Sequence, residues 1–103
     1  MPATAIQIIR GHPFLTYQQI AEATGKTTRT VYNKKYGIEE EIAKGRYSRY
    51  SLPDGLINWY VYIDYLTYEK DLKNRNRRKY VPEFNPKEIE KLSGFRTEYI
   101  HFE

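Results

Sequence analysis

The stretch TYQQIAEATGKTTRTVYNKK, residues 16–35, contains the most specific helix signals of this chain. Thr16 and Gln19 have the spacing of a capping box, in which both side chains satisfy free amide groups at the start of a helix. Gly25 closes this segment and can adopt the positive φ that is common just after a helix. The pattern therefore predicts a helix over residues 17–24.

A second helix is predicted directly after this turn. Thr27 or Thr28 can cap its first amide groups, because a threonine hydroxyl accepts hydrogen bonds from the first turn of a helix. The helix would end at about Tyr36, and Gly37 would close it. Residues 38–44 would then add one or two further turns on the same core.

Ala21, Gly25 and Val31 have the spacing of two helices that cross at a fixed angle. The small alanine permits close approach, the glycine makes the turn, and the valine fills the space between the helices. Thr16–Lys35 therefore resembles the helix-turn-helix unit of bacterial and phage DNA-binding domains. Lys26 and Lys34 depart from that unit at places that are commonly apolar, so we expect a second helix that is shorter or slightly rotated.

The residues after this unit extend the resemblance. Gly45–Ser51 alternates Tyr with charged or hydroxyl residues, which predicts a small extended element. Ser51–Asp54 combines an N-cap serine, an early proline and an acidic residue, which predicts a helix start. Residues 45–59 are similar to the wing and next helix of the MerR-like and phage excisionase-like winged-helix group. The resemblance implies a mostly α fold with a small β wing, in which a winged helix-turn-helix is followed by a long helix and a short C-terminal helix.

The same resemblance implies which side chains contact DNA. The second helix would read bases in the major groove, where Arg pairs with guanine, Asn pairs with adenine, and Thr contacts a thymine methyl group or a phosphate. The wing would place its arginines on phosphates or in the adjacent minor groove, and Lys34 and Lys35 suit backbone contacts. The candidate DNA-binding residues are Thr27, Thr28, Arg29, Tyr32, Asn33, Lys34, Lys35, Arg46, Tyr47, Arg49 and Tyr50.

Trp59–Tyr68 consists almost wholly of residues that favour strands. Its periodicity nevertheless predicts a helix, because apolar residues recur at alternating intervals of four and three in two stripes. The stripes are Leu52, Leu56, Trp59, Ile63 and Leu66, and Val61, Tyr65, Tyr68 and Leu72. Either both stripes pack within the chain, or the surplus apolar surface forms a homodimer through this Tyr-rich helix.

The remaining segments carry weaker signals. Pro2–Arg10 predicts a short helix, with a strand as the alternative because the segment is short and rich in Ile. Lys73–Lys79 has no apolar residue and is either a fraying helix end or a basic patch. Asn85 and Pro86 predict the start of a short helix that ends at Ser93, before Gly94.

We expect two parts in the chain. Residues 1–79 would form the winged helix-turn-helix with its long fourth helix. Residues 80–103 would form a C-terminal helix and tail that pack on it or contact a partner.

Composition limits the function classes. The 103 residues fit one modest core, and 40% hydrophobic and 29% charged residues are ordinary for a globular domain. The net charge of +4 permits nucleic-acid binding. Without Cys there is no disulfide, thiolate nucleophile or zinc finger, and we expect a cytoplasmic protein without a membrane segment.

No catalytic or metal-binding pattern is present in the sequence. His12 and His101 have no second ligand at a suitable spacing, and the acidic residues 39–41 are more typical of a solvated helix turn. There is no glycine-rich phosphate loop, and no tyrosine has a sequence-adjacent cluster of His and Arg. We therefore predict a protein that is not an enzyme and needs no cofactor, metal or small-molecule substrate.

Two hypotheses follow from the sequence. The first is a sequence-specific protein that binds double-stranded DNA, as a small transcriptional regulator or an excisionase-like accessory factor of a phage, plasmid or other mobile element. The second is a protein-interaction module of helix-turn-helix fold, which would bind a host or replication protein through its Tyr-rich helix and tail.

Overall fold

A computed structural model describes residues 7–9 and 11–93 of the chain. The fold is mostly helical with a small three-stranded antiparallel sheet, which agrees with the fold class predicted from the sequence in its coarse form. The elements in chain order are β1 (Gln7–Ile9), β2 (His12–Thr16), α1 (Tyr17–Thr24), α2 (Thr28–Ala43), a 3₁₀ turn (Arg49–Ser51), β3 (Leu56–Asn58), α3 (Trp59–Leu72), α4 (Arg75–Arg78) and α5 (Pro86–Ser93).

The sheet has the order β1-β2-β3 and positions the first helix. β1 pairs with β2 through Ile9 and His12, so the predicted helix is wrong over residues 7–9 and the alternative strand is correct. β3 pairs with the other edge of β2, with Leu15 opposite Ile57. The rest of the predicted N-terminal helix, residues 2–6 and 10, lies outside the described residues.

The capped pair of helices predicted from residues 16–35 is confirmed as local structure. The Thr16 hydroxyl accepts a hydrogen bond from the Gln19 amide at 3.1 Å, and the Gln19 side chain accepts one from the Thr16 amide at 2.8 Å. Gly25 ends α1 with φ of 70°, and Thr27 caps α2. Ala21 and Val31 are buried, as their places between the two helices require. These local caps explain where α1 begins and ends and where α2 begins. 

The predicted end of α2 at Gly37 is wrong, because the helix continues to Ala43. Gly37 lies under the ring of Tyr65 on α3. A Cβ atom at position 37 would lie 2.4 Å from the Tyr65 Cζ atom and closer still to its hydroxyl oxygen. Glycine is therefore needed here for close helix contact and does not end the helix.

The predicted helix start at Ser51–Asp54 is also wrong. A turn at residues 54–55 leads into β3, and α3 begins at Trp59. Asn58 is both the last residue of β3 and the N-cap of α3, since its side-chain oxygen accepts hydrogen bonds from the amides of Tyr60 and Val61 at 2.9 and 3.3 Å. Leu52 and Leu56 consequently lie outside the helix to which the first apolar stripe assigned them.

The helix predicted over Trp59–Tyr68 is confirmed against its strand propensity. The first half of α3 is buried on nearly all sides, because the sheet, α2 and α5 pack around it. Tertiary burial therefore overrides intrinsic propensity here. Members of both stripes, including Trp59 and Tyr65, are buried within the chain, and Leu66 is partly exposed. The homodimer stays a prediction.

The segment after α3 returns to the same core. The basic run contains the single helical turn α4 and then leads to α5, which starts at Pro86 as predicted. Ile89 of α5 is buried, and α5 packs against α3. The ring of Phe84 meets Tyr47 edge to face at 5.3 Å. The predicted stop at Gly94 lies outside the described residues.

We predict that Gly37→Ala destabilises the protein. The new methyl group would displace the Tyr65 ring, and overpacking of this kind costs about 1–3 kcal/mol. Because alanine gains roughly 1 kcal/mol over glycine in helix propensity, we expect a net loss of up to about 2 kcal/mol. Urea unfolding measures the change. The same substitution in a Tyr65→Phe background should cost less, because the nearest atom, the hydroxyl oxygen, is gone. An increase in unfolding free energy for Gly37→Ala would contradict the packing described.

Candidate nucleic-acid interface

The outer face of α2 carries a row of exposed side chains. Arg29, Tyr32, Asn33 and Tyr36 follow one another at helical spacing, so they lie on the same face of the helix. Tyr32 is 42% exposed and Tyr36 is 49% exposed, which is unusual for large aromatic residues. Tyr36 was missing from the residues predicted to contact DNA, because the helix was expected to end there.

Tyr32 and Tyr36 hold each other in position. The Tyr36 hydroxyl donates a hydrogen bond to the Tyr32 hydroxyl at 2.7 Å, and this bond raises the pKa of Tyr36. The Lys35 ammonium group lies 4.8 Å from both ring centroids, and the Tyr17 ring of α1 lies 6.0 Å from Tyr32. Lys35 also faces Glu39 at 3.7 Å. The predicted backbone contact of Lys35 therefore competes with these interactions inside the chain.

Arg29 and Asn33 are free to bind a ligand. Both side chains are exposed, and neither has a hydrogen-bond or ion-pair partner in residues 7–9 and 11–93. Thr28 is exposed beside them. Thr27 is already used as the helix cap, since its hydroxyl accepts from the Thr30 amide at 3.2 Å and is hydrogen-bonded to the Thr30 hydroxyl at 3.1 Å.

The charge on this face changes sign along α2. Arg29 stands in the first turn, whereas Glu39 and Glu40 are exposed in the second half of the helix. Carboxylates repel the phosphates of a nucleic acid, while a helix N-terminus attracts them through its free amide groups. Only the N-terminal half of α2 is electrostatically suited to a nucleic-acid groove.

Lys34 points towards α3 and not towards this face. Its ammonium group is 2.5 Å from one carboxylate oxygen of Glu69, and Lys73 binds the other oxygen at 3.1 Å. Partial burial of Glu69 raises the pKa of its carboxyl group, but the hydrogen bonds from Lys34 and Lys73 outweigh this effect and lower it. A lysine is therefore tolerated at a commonly apolar place, because its charge has a partner on α3. Lys26, the other residue that departs from the helix-turn-helix pattern, is exposed in the turn between α1 and α2.

Arg46 and Tyr47 do not form an exposed wing, and that prediction is wrong. The Arg46 guanidinium binds both carboxylate oxygens of Asp64 at 2.9 and 3.1 Å, and the Tyr47 hydroxyl donates to Asp64 at 2.6 Å. Asp64 is only 1% exposed. Burial, followed by the neighbouring Asp64 carboxylate, raises the pKa of Tyr47 and keeps its hydroxyl protonated. Arg46 also donates to the Pro82 carbonyl at 2.8 Å, so it connects three segments of the chain.

Arg49 and Tyr50 are exposed, but they lie in a 3₁₀ turn where an extended wing was predicted. The Arg49 guanidinium donates to the Tyr50 hydroxyl at 2.7 Å and lies 4.9 Å from its ring centroid. Both residues border a cavity of about 410 Å³ against the N-terminal hairpin, where Ile9 and Phe14 line the wall. The only β structure in the described chain is therefore the sheet beside α1, and no strand forms between Gly45 and Ser51.

No group of three or more metal-ligating side chains is present within residues 7–9 and 11–93. In the same residues, no helix has both the length and the apolar character needed to cross a membrane. Comparison of the chain with protein-family models, with curated proteins and with solved structures found no match.

We predict that Arg46 and Arg49 differ sharply in their effect on stability. Arg46→Met should cost about 3–5 kcal/mol, because it leaves the Asp64 carboxylate buried without its cation. Arg49→Met should change the unfolding free energy by less than about 0.5 kcal/mol, as expected for an exposed side chain. Urea unfolding of the two variants is the test. Equal effects would show that Asp64 does not depend on Arg46.

Proposed function

We propose that this protein binds double-stranded DNA sequence-specifically and that the N-terminal half of α2 reads the major groove. One observation carries the proposal: Arg29 and Asn33 are exposed, have no partner in the described residues, and lie on one face beside Tyr32 and Tyr36. These are the side-chain types that hydrogen-bond to base edges, and their helix follows a helix-turn-helix arrangement that resembles known DNA-binding units.

Each side chain of the face has a distinct role in this proposal. Arg29 donates two hydrogen bonds to guanine, and Asn33 pairs with the N6 and N7 atoms of adenine. The rings of Tyr32 and Tyr36 contact thymine methyl groups or sugars, since their position is already fixed by the hydrogen bond between them. Thr28 binds a phosphate at the helix start, where free amide groups also attract anions.

The contribution of the remaining candidates is smaller. Arg49 and Tyr50 supply contacts to the DNA backbone from the 3₁₀ turn, in place of the extended wing. Lys34, Arg46 and Tyr47 hold the fold together through Glu69 and Asp64 and do not contact bases.

The biological role that we propose is a small transcriptional regulator or an excisionase-like accessory factor of a phage, plasmid or other mobile element. The resemblance of residues 16–35 and 45–59 supports this role. The order β2, α1, α2, β3, α3 adds support, because one strand precedes the two-helix unit in the chain and another follows it.

The alternative of a protein-interaction module has less support. It needs exposed aromatic surface on the Tyr-rich helix, because aromatic residues dominate the centres of protein interfaces. Tyr60, Tyr62 and Tyr65 of α3 are instead buried in the core. The tail that this hypothesis also uses, residues 94–103, lies outside the described residues.

We predict that Arg29→Ala and Asn33→Ala each weaken discrimination at one base pair by about 1–3 kcal/mol. The preferred site is first obtained by selection from a random duplex library, and binding is then measured by fluorescence anisotropy on that site and on its single-base variants. Lys87→Ala is the control for Arg29→Ala, because it removes one positive charge from an exposed residue of α5 that has no ion-pair partner in the described chain.

Two outcomes would contradict the proposal. One is a failure to recover any preferred duplex, together with no binding at low salt. The other is an unchanged site preference in both Arg29→Ala and Asn33→Ala, which would exclude this face of α2 as the reading surface.

A further inference from the structure

The net charge of the chain is concentrated in one short segment. Residues 69–79 contain six Lys or Arg and two Asp or Glu, an excess of four positive charges that equals the net charge of all 103 residues. The segment comprises the end of α3 and the turn α4. The rest of the chain is therefore formally neutral, and any long-range attraction for an anionic partner originates mainly here.

The cations of this segment differ in whether a carboxylate binds them. Arg78 turns inward and binds both carboxylate oxygens of the buried Glu41 at 2.6 and 2.7 Å. Arg77 faces Asp71 at 3.5 Å. Lys70, Arg75 and Lys79 are exposed, and none of the three has a carboxylate partner in the described part of the chain. These three, with Lys73, form the outward basic surface.

Glu69 connects the outward basic surface to α2. Its carboxylate binds Lys34 of α2 with one oxygen and Lys73 with the other, so the end of α3 is held beside the proposed reading helix. Lys73 remains 62% exposed in this arrangement. A groove of about 430 Å³ between α2 and α3 is lined by both Asn33 and Lys73, which shows that the two surfaces are contiguous.

We propose that the outward basic surface binds the phosphate backbone of the same DNA duplex whose major groove α2 reads. This inference rests on the proposed function. A major groove is flanked by two phosphate strands, and a reading helix commonly depends on neighbouring elements to grip them. Lys73 lines the same groove as Asn33, and Lys70, Arg75 and Lys79 are exposed within six residues of Lys73 in the same short segment.

The composition of the surface favours phosphates over an acidic protein partner. Residues 73–79 contain no apolar side chain, whereas protein interfaces have an apolar centre. Leu72, which precedes the segment, is buried, and the exposed Tyr80 ring lies 5.3 Å from the Lys79 ammonium group at the other end. Binding through charge alone, with release of counterions, is the mode that polyanionic DNA provides.

The test compares two variants that each lose two positive charges. Lys70→Gln with Arg75→Gln removes two cations of the outward basic surface, and Lys87→Gln with Lys91→Gln removes two exposed cations of α5. Affinity for the selected duplex and for an unrelated duplex is measured by fluorescence anisotropy across a salt series. The slope of log affinity against log salt concentration falls in magnitude by about 0.9 for each phosphate contact that is lost.

We expect the first variant to bind both duplexes more weakly, with a slope smaller in magnitude by about 1–2 and with an unchanged preference between them. The α5 variant should retain the slope of the native protein. The inference would be overturned if the native protein and both variants had equal slopes. It would also be overturned if both variants lost affinity and slope to the same extent. Stronger binding of an acidic protein than of DNA at this surface would also overturn it.

The outcomes separate this inference from the proposed function. Suppose that the native protein selects a duplex and that Arg29→Ala alters its preference, while Lys70→Gln with Arg75→Gln leaves the slope unchanged. In that case only the proposed phosphate contact of the outward basic surface is wrong. If the native protein selects no duplex at any salt concentration, both proposals fail.

Discussion

The contact between Gly37 and the ring of Tyr65 is the constraint on which the structure depends. No side chain fits between α2 and α3 at this point, so the backbone of α2 rests directly against the buried tyrosine. Two ion pairs flank the contact on the same face of α2. Lys34 binds Glu69 one turn before it, and Glu41 binds Arg78 one turn after it. Together these three contacts fix both the position of α2 and its rotation about its own axis.

Fixing the inner face of α2 also fixes the outer face. Arg29 is exposed near the start of α2, and Asn33 lines the edge of the groove between α2 and α3. Lys34 and Gly37 hold both residues in place by fixing the rotation of α2 against α3, and a reading surface needs such a rigid support. The same contacts bring the basic end of α3 to the edge of that surface through Glu69. The acidic second half of α2 then limits which part of the helix can approach phosphates. The proposed DNA interface is thus a consequence of how α2 packs.

The two-helix unit was predictable because its signals are local. Features that depend on residues far away in the sequence were not predictable. Thr16, Gly25 and Thr27 act on residues within a few positions, and all three have the predicted roles. Gly37 was expected to end a helix, because its need for small size arises from a tyrosine 28 positions later. Arg46 and Tyr47 were assigned to a wing for the same reason, since their partner Asp64 is 18 and 17 residues away.

The periodicity of α3 was strong enough to outweigh its strand propensity, but its start was set by Asn58 and the β3 pairing. Of the candidate site, Arg29 and Asn33 were identifiable by type and helical position, whereas Tyr36 required the continuous α2. The sequence also offered residues 73–79 as a possible basic patch, but the closeness of this segment to α2 depends on the contacts of Glu69.

An NMR titration shows whether the N-terminal half of α2 contacts DNA. The ¹⁵N-labelled protein is titrated with the duplex obtained by selection, and the amide shift changes are mapped on the chain. We expect the largest changes in residues 28–36, with a second group in residues 70–79 and small changes in the buried first half of α3. The absence of shifts, or largest changes outside the N-terminal half of α2, would contradict DNA reading by this helix.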